Sequence, residues 1–119
     1  MMDPAGRVHC SVSDWGKFVS LFVREGENGI VKSETLRALT TPTDAPEYAG
    51  GWGVVERGWG GGKVLTHAGS NGAWYCVVWA APVKHFAVMA MTNVGGDEAA
   101  AACDDAVSML IVRRGKAGK

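Results

Sequence analysis

The sequence predicts an α+β fold: an antiparallel sheet of about three to four strands, two N-terminal helices, and a C-terminal helix packed on the sheet. Apolar residues near the N-terminus recur at helical spacing, the middle of the chain is rich in β-branched and aromatic runs, and an alanine-rich run closes it. Helices at both ends and strands in between are typical of the α+β class. The 119 residues are the length of one domain with a modest core.

The first helix is predicted after the N-cap candidates Ser11, Ser13 and Asp14. Apolar residues then follow at i, i+3, i+4, i+7 and i+8, namely Trp15, Phe18, Val19, Phe22 and Val23. A second, shorter helix is expected to run to Leu39, with Ser33 as its cap.

The strands are predicted after a polar loop at residues 41–51. Four runs fit, at residues 52–56, 63–67, 74–81 and 86–93. The last two runs are apolar on both faces, which predicts central strands covered on two sides.

The final helix is expected to begin at Asp97, as its cap, and to end near Arg113. Its predicted buried stripe consists of Ala99, Ala102, Cys103, Ala106, Val107 and Leu110. Residues 115–119 are predicted to fray.

The charge balance argues against nucleic acid as a partner. Twelve basic residues offset twelve acidic ones, so no basic patch is expected. No apolar run approaches the roughly 20 residues of a membrane helix. Met1–Pro4 shows no signal peptide, and the compartment of the protein stays undetermined.

The cysteines and histidines do not show metal-ligand spacing. Cys10, Cys76 and Cys103 form no CxxC pair and are odd in number, so we interpret them as small apolar core or strand residues. We therefore expect no structural metal and no cofactor.

The segment from Thr66 to Gly72, Thr-His-Ala-Gly-Ser-Asn-Gly, concentrates chemically active groups where a strand meets a turn. One hypothesis is a nucleophile elbow of the G-x-S-x-G kind, with Ser70 as the nucleophile of an α/β-hydrolase. That motif needs a helix after the serine, whereas residues 74–81 look like a strand. It also needs a downstream His, and His85 follows by only 15 residues.

A second hypothesis comes from a resemblance that spans most of the chain. The segments 4–15, 48–54, 67–72 and 77–93, followed by the terminal helix, resemble in order and spacing the β-lactamase-related serine hydrolases. That family comprises class C β-lactamases, penicillin-binding DD-peptidases and esterases of the same fold. His67-Ala68-Gly69 is similar to its K-T-G or H-x-G triplet, which lies on the strand facing the nucleophilic serine.

The resemblance implies roles for four residues. His67 would hydrogen-bond the substrate or the catalytic network, a role that suits an imidazole. Gly69 would let the substrate lie against the backbone, with Asn71 as a further substrate contact. The backbone N–H of Ser70 would be one of two oxyanion-hole donors.

Two departures limit what the chain can do alone. Ala68 replaces the hydroxyl residue of K-T-G, which favours an ester or peptide substrate over a β-lactam. The S-x-x-K nucleophile motif is missing, since no lysine follows a serine by three positions, and so is Y-x-N. We therefore interpret residues 1–119 as the C-terminal part of a serine hydrolase domain whose nucleophile-bearing part is absent, with a small-molecule or peptide substrate in the parent enzyme.

A different class of function stays open. The chain could be a non-catalytic binding or scaffold module in which His67 and its glycines only form a hairpin. If the chain is a truncated domain, the missing strands and helices would leave a sheet edge uncovered, through which copies of the chain could associate.

Overall fold

The computed structural model describes residues 6–27 and 29–118 and confirms the α+β fold. The first five residues of the N-terminal loop and Lys119 of the tail lie outside the described residues. The helices are α1 (Val12–Val23), α2 (Ser33–Leu39) and α3 (Asp97–Ala117). The strands are β1 (Tyr48–Ala49), β2 (Trp52–Arg57), β3 (Gly62–Ser70), β4 (Tyr75–Ala81) and β5 (Phe86–Thr92), with 3-10 turns at Gly58–Gly60 and Pro82–Lys84.

The N-terminal helices begin close to their predicted positions. The Ser11 hydroxyl caps α1 by accepting a hydrogen bond from the Asp14 N–H at 3.1 Å, as expected of an N-cap serine. In α2 the predicted cap is wrong by one residue: Lys32 is the extended N-cap residue, and Ser33 is already helical. No side chain caps α2.

The sheet is an antiparallel meander in the order β1-β2-β3-β4-β5, so each strand pairs with its neighbours in sequence. It has one strand more than predicted, because the two-residue β1 forms inside the expected loop at 41–51. The third strand also runs further than predicted, to Ser70, and the hairpin turn is therefore displaced to residues 71–74.

The helices cover both faces of this sheet. On one face α1 and α2 pack against the strands, with Val19, Phe22, Val23, Leu36, Trp52, Val54, Leu65, Val78 and Ala80 buried between them. On the opposite face α3 covers a smaller cluster of Val77, Cys103 and Val107. Two layers of helix around one sheet are the arrangement that buries both apolar faces of β4.

Two expectations about burial are corrected at the far side of the sheet. β4 is central, but β5 is an edge strand and none of its seven residues is fully buried. The buried stripe of α3 is narrower than predicted: Ala99, Cys103 and Val107 are buried, whereas Ala102 and Leu110 are exposed. Nothing among the described residues lies beyond β5 in the sheet to cover those positions.

The last helix also continues past its predicted end near Arg113 and ends at Ala117. Residues 115–117 are therefore helical, and the prediction that they fray is wrong. Acidic residues in the first turn, Asp97 and Glu98, and basic residues in the last, Arg114 and Lys116, both favour the helix through its dipole.

Candidate active site

The C-terminal half of β3 is paired on one side only. Pairing with β2 ends at the Gly53–Thr66 pair, whereas pairing with β4 continues to Ser70 opposite Tyr75. Residues 67–70 therefore form an open strand edge, and this is the segment that the sequence singled out.

The ladder geometry determines which backbone groups face that edge. The Val54 N–H donates to the Glu47 carbonyl at 2.7 Å, so the backbone groups of Val54 face β1 and those of the residues on either side of it face β3. Backbone direction alternates along an antiparallel strand. The backbone N–H and C=O groups of Thr66 therefore point toward β2. Those of Ala68 and Ser70, two and four residues further along β3, point toward the open edge. The Ser70 N–H thus points away from β4.

The side chains of the same segment divide between the two sheet faces. Leu65 belongs to the core beneath α1, so by alternation His67 and Gly69 lie on the α1 face. Ala68 and Ser70 lie on the α3 face. His67 is exposed on this face. His67 and the Ser70 side chain are therefore on opposite faces.

The Ser70 hydroxyl is held in the hairpin turn. It donates to the Trp74 carbonyl at 2.7 Å and accepts from the Gly72 N–H at 3.1 Å. The turn leads directly into β4, so the strand-to-helix turn that a nucleophile elbow needs is not formed. With no imidazole on its face of β3, this hydroxyl lacks the general base that an activated serine requires.

Asn71 also closes the turn. Its Oδ1 accepts hydrogen bonds from the N–H groups of Ala73, at 3.1 Å, and Trp74, at 2.9 Å. Such an Asx turn is a common device of asparagine in hairpins. The predicted substrate contact through Asn71 stays a prediction, with the Nδ2 amide as the group that a ligand could use.

Trp74 is a surface residue, although it begins the run 74–81 that was predicted as a strand covered on both faces; the strand itself begins at Tyr75. The Trp74 side chain is 58% exposed at the tip of the β3–β4 hairpin. Three other tryptophans have ring partners: Trp52 contacts Phe22, and Trp59 contacts Trp79. The position of Trp74 in the sequence, directly after the turn residues, is the signal that could have indicated its exposure.

Gly69 is a glycine that the fold does not require. Its φ is outside the left-handed region, and a Cβ atom there would meet only the Cys76 Sγ, at an ordinary 3.8 Å. A side chain at this position would therefore fit within the protein itself.

Cys76 lies opposite Gly69 on the α1 face, but it is not an activated nucleophile. Burial raises the pKa of its thiol, and a hydrogen bond with the Gly69 backbone only partly offsets this. Reactive cysteines have lowered pKa values instead. Cys103 is buried as expected, whereas Cys10 is exposed in the N-terminal loop, where the core or strand interpretation is wrong.

The other groups of interest lie elsewhere. The His85 Nδ1 is 3.3 Å from the Val23 carbonyl, in the turn that joins β4 to β5, so it does not approach Ser70. Across residues 6–27 and 29–118, no three His, Cys, Asp or Glu side chains gather as metal ligands would. In the same part of the chain no helix has the length and apolarity to cross a membrane.

These features define an α+β domain with the open segment of β3, His67–Ser70, as its candidate site. Comparison of the chain with protein-family models, with curated proteins and with solved structures finds no match to any of them. The geometry of this segment is therefore the basis on which a function can be inferred.

Proposed function

We propose that this chain is the C-terminal part of a serine hydrolase related to the β-lactamases and penicillin-binding proteins, and that β3 forms one wall of its active site. The observation that carries the proposal is the Ser70 N–H, which faces the open strand edge. In the related enzymes the corresponding N–H helps to bind the oxyanion.

A good oxyanion donor is unpaired within the protein and fixed in direction before the reaction. Ser70 supports both conditions. Its N–H has no neighbouring strand to bond, since β2 stops pairing at Thr66. Its side chain is tied to Trp74 and Gly72, which fixes the end of β3. The serine hydroxyl thus orients the backbone donor and takes no part in bond making.

His67 supplies the second group of the proposed site. Its imidazole is exposed on the α1 face, where a ligand can reach it. Between His67 and Ser70, the bare Gly69 leaves the strand accessible to an acyl group. A substrate lying on this strand would meet an imidazole and an N–H donor within four residues.

The reaction would be acyl transfer through a serine ester, followed by hydrolysis. The nucleophile must come from a polypeptide region that carries S-x-x-K, because this sequence has none. Ala68 offers a methyl group and no hydroxyl, so we infer an ester or peptide substrate in preference to a β-lactam.

The first test is to read the gene upstream of Met1. The proposal requires an S-x-x-K and a Y-x-N motif in the same frame. An unrelated gene in that position, with no such motifs, would reject it.

The second test uses the polypeptide that includes those motifs and a fluorescent serine-directed phosphonate. Ser70→Pro removes the N–H, and we expect labelling to slow by about a hundredfold or more, the typical effect of losing one oxyanion donor. Ser70→Ala is the matched control: it keeps the N–H and loses only the hydroxyl that orients it, so labelling should slow far less than in Ser70→Pro. Equal rates for the two variants would exclude the oxyanion role.

A non-catalytic binding or scaffold module is the second candidate. It is favoured by the unpaired outer edge of β5, which can pair with another strand. Under this hypothesis no serine of the longer polypeptide would react with the phosphonate, whereas association through the sheet edge would persist.

A further inference from the structure

Trp74 is fixed to the candidate site through its backbone. Its N–H donates to the Asn71 Oδ1 at 2.9 Å, and its carbonyl accepts from the Ser70 hydroxyl at 2.7 Å. Ser70 and Asn71 are the two residues that close the hairpin turn at the end of β3. The position of Trp74 is therefore set by the same contacts that orient the Ser70 N–H.

The side chain of Trp74 lies on the sheet face that carries His67 and Gly69. Ser70 pairs with Tyr75, and Tyr75 packs against the cluster beneath α3. Because the Ser70 N–H points away from β4, the backbone groups of Tyr75 point toward β5, whereas those of Trp74 point back toward β3. This is the alternation of an extended strand, so the Trp74 side chain is on the α1 face, opposite to that of Tyr75.

The same pairing places Trp74 close to the proposed oxyanion donor. Ser70 and Tyr75 form a non-hydrogen-bonded pair, in which Cα atoms are about 4.5 Å apart. Trp74 precedes Tyr75, and consecutive Cα atoms are about 3.8 Å apart. The Cα atoms of Ser70 and Trp74 are therefore separated by no more than about 8 Å. A group bonded close to a carbonyl that is held at Ser70 can reach the indole.

The indole of Trp74 offers an open apolar surface. The residue is 58% exposed, and no aromatic ring in the described part of the chain packs against it. Aromatic rings stack on such a surface, in offset or edge-to-face arrangements. An aromatic ring is therefore the kind of group that this side chain binds best.

The chain around the hairpin tip carries little charge. Residues 66–76 contain no Asp, Glu, Lys or Arg, and neither do residues 86–96, which form β5 and the start of the loop after it. That loop meets the tip where Gly95 lies against Gly72, and its Val94 is 59% exposed. Such a surface favours a neutral apolar group, because a charged one would lose water without gaining a partner.

From these observations we propose that Trp74 is a specificity-determining residue of the active site and stacks on an aromatic ring of the substrate. The substrate class is then an ester with an aryl group a few bonds from the scissile carbonyl, on the acyl or on the alcohol side. The inference rests on the proposed function, since it needs a reacting carbonyl at Ser70. The nucleophile-bearing part of the domain would face β3, and the substrate would lie between the two with its ring against Trp74.

Stacking on Trp74 differs from support of the turn in its effect on the kinetics. A ring contact contributes only to substrates that have the ring, so its loss lowers kcat/KM for aryl esters selectively. Displacement of the Ser70 N–H weakens the binding of every oxyanion and lowers kcat/KM for all esters. The ratio of kcat/KM between an aryl ester and a small alkyl ester therefore separates the two roles.

The test uses the polypeptide that includes the S-x-x-K motif, with ethyl acetate, ethyl phenylacetate and benzyl acetate as substrates. Acid release is followed by titration at constant pH. We expect the wild-type protein to prefer at least one of the two aryl esters over ethyl acetate, and the preferred one identifies the acyl or the alcohol side. Trp74→Ala should lower kcat/KM for that ester by about tenfold, the size of a strong aromatic contact, and affect ethyl acetate far less. Trp74→Phe keeps a ring and should retain most of the preference.

Phe18→Ala is the control variant. Phe18 is 53% exposed on α1, where it contacts Phe22, and its loss should leave the ratio between the esters unchanged. An equal loss for all three esters in Trp74→Ala would mean that Trp74 supports the turn or packs against the rest of the domain, and it would overturn the proposal. An unchanged ratio would overturn it as well, while the hydrolase function would stand. If the wild-type polypeptide hydrolyses none of the esters and the phosphonate labels no serine, the proposed function fails and takes this inference with it.

Discussion

Gly95 lies so close to Gly72 that a Cβ atom at position 95 would overlap the Gly72 carbonyl oxygen. The contact joins the segment between β5 and α3 to the tip of the β3–β4 hairpin, which carries the candidate site. The atoms in the way are backbone, so they cannot move aside as a flexible side chain would.

Gly95→Ala should therefore displace the hairpin tip. We expect a loss of about 1–3 kcal/mol in the free energy of unfolding, as for overpacked sites. Urea denaturation measures the loss, and amide shifts of residues 71–74 report the displacement. Gly16→Ala is the control: position 16 is helical and open, so alanine should stabilise α1 by about 0.5–1 kcal/mol. Equal effects of the two alanines would contradict the close contact.

Asn71→Ala should destabilise the hairpin, because two backbone N–H groups lose their acceptor. The turn is exposed and water can replace the bonds, so we expect a loss of only about 1 kcal/mol. Asn71→Asp retains an oxygen in the same place and should recover most of the stability. If aspartate and alanine are equally destabilising in urea denaturation, the Asx turn does not hold the tip.

Phe22→Ala should be the most damaging of these substitutions. Phe22 is buried and packs edge to face on Trp52, with ring centroids 5.0 Å apart, and so joins α1 to β2. Truncation of a buried phenylalanine costs about 3–5 kcal/mol. Phe18→Ala removes a ring of the same size that is 53% exposed, and it should cost far less. Thermal and urea unfolding of both variants would show whether burial accounts for the difference.

The three cysteines should react with iodoacetamide in the order of their exposure. Cys10 is exposed and should react first at neutral pH, followed by Cys76 and then by Cys103. Burial raises the pKa values of Cys76 and Cys103, so their thiolates form only above the usual thiol range. Alkylation of Cys76 should accordingly accelerate at higher pH. Mass spectrometry of digests gives the order, and early labelling of Cys103 in the folded chain would contradict its placement.

The raised pKa values of Cys76 and Cys103 also make the free energy of unfolding depend on pH. A thiol whose pKa is raised on folding binds its proton more tightly in the folded state. The stabilisation that such a thiol provides is fully present below its pKa in the unfolded state. It is lost as the pH rises through its pKa in the folded state. Stability should therefore fall at alkaline pH, and Cys103→Ala should reduce that fall.

Local patterns were sufficient to predict most of the fold. The α1 helix follows from its apolar spacing and its Ser11 cap, and the β4–β5 hairpin from two apolar runs around Pro82. β1 was missed because two residues in a polar loop carry no periodic signal. Whether β5 is central or at an edge depends on which strands exist beside it, and its own residues cannot show that.

The candidate site was predicted in position and only partly in geometry. A strand meeting a turn at residues 66–72 was expected, and the structure has one. The open edge could not be foreseen, because it depends on where pairing with β2 stops, at Thr66. The roles of His67, Gly69, Ser70 and Asn71 toward a substrate stay predictions.

The meander order of the strands has a consequence for how quickly the chain folds. Each strand pairs with the next one in sequence, so the sheet has low contact order and can grow hairpin by hairpin. The docking of α1 is different: the contact between Val23 and His85 closes 62 residues of chain. Closing a loop of that length costs more chain entropy than closing a single hairpin. We therefore expect α1 docking to come late in the folding reaction, after the sheet that receives it has formed.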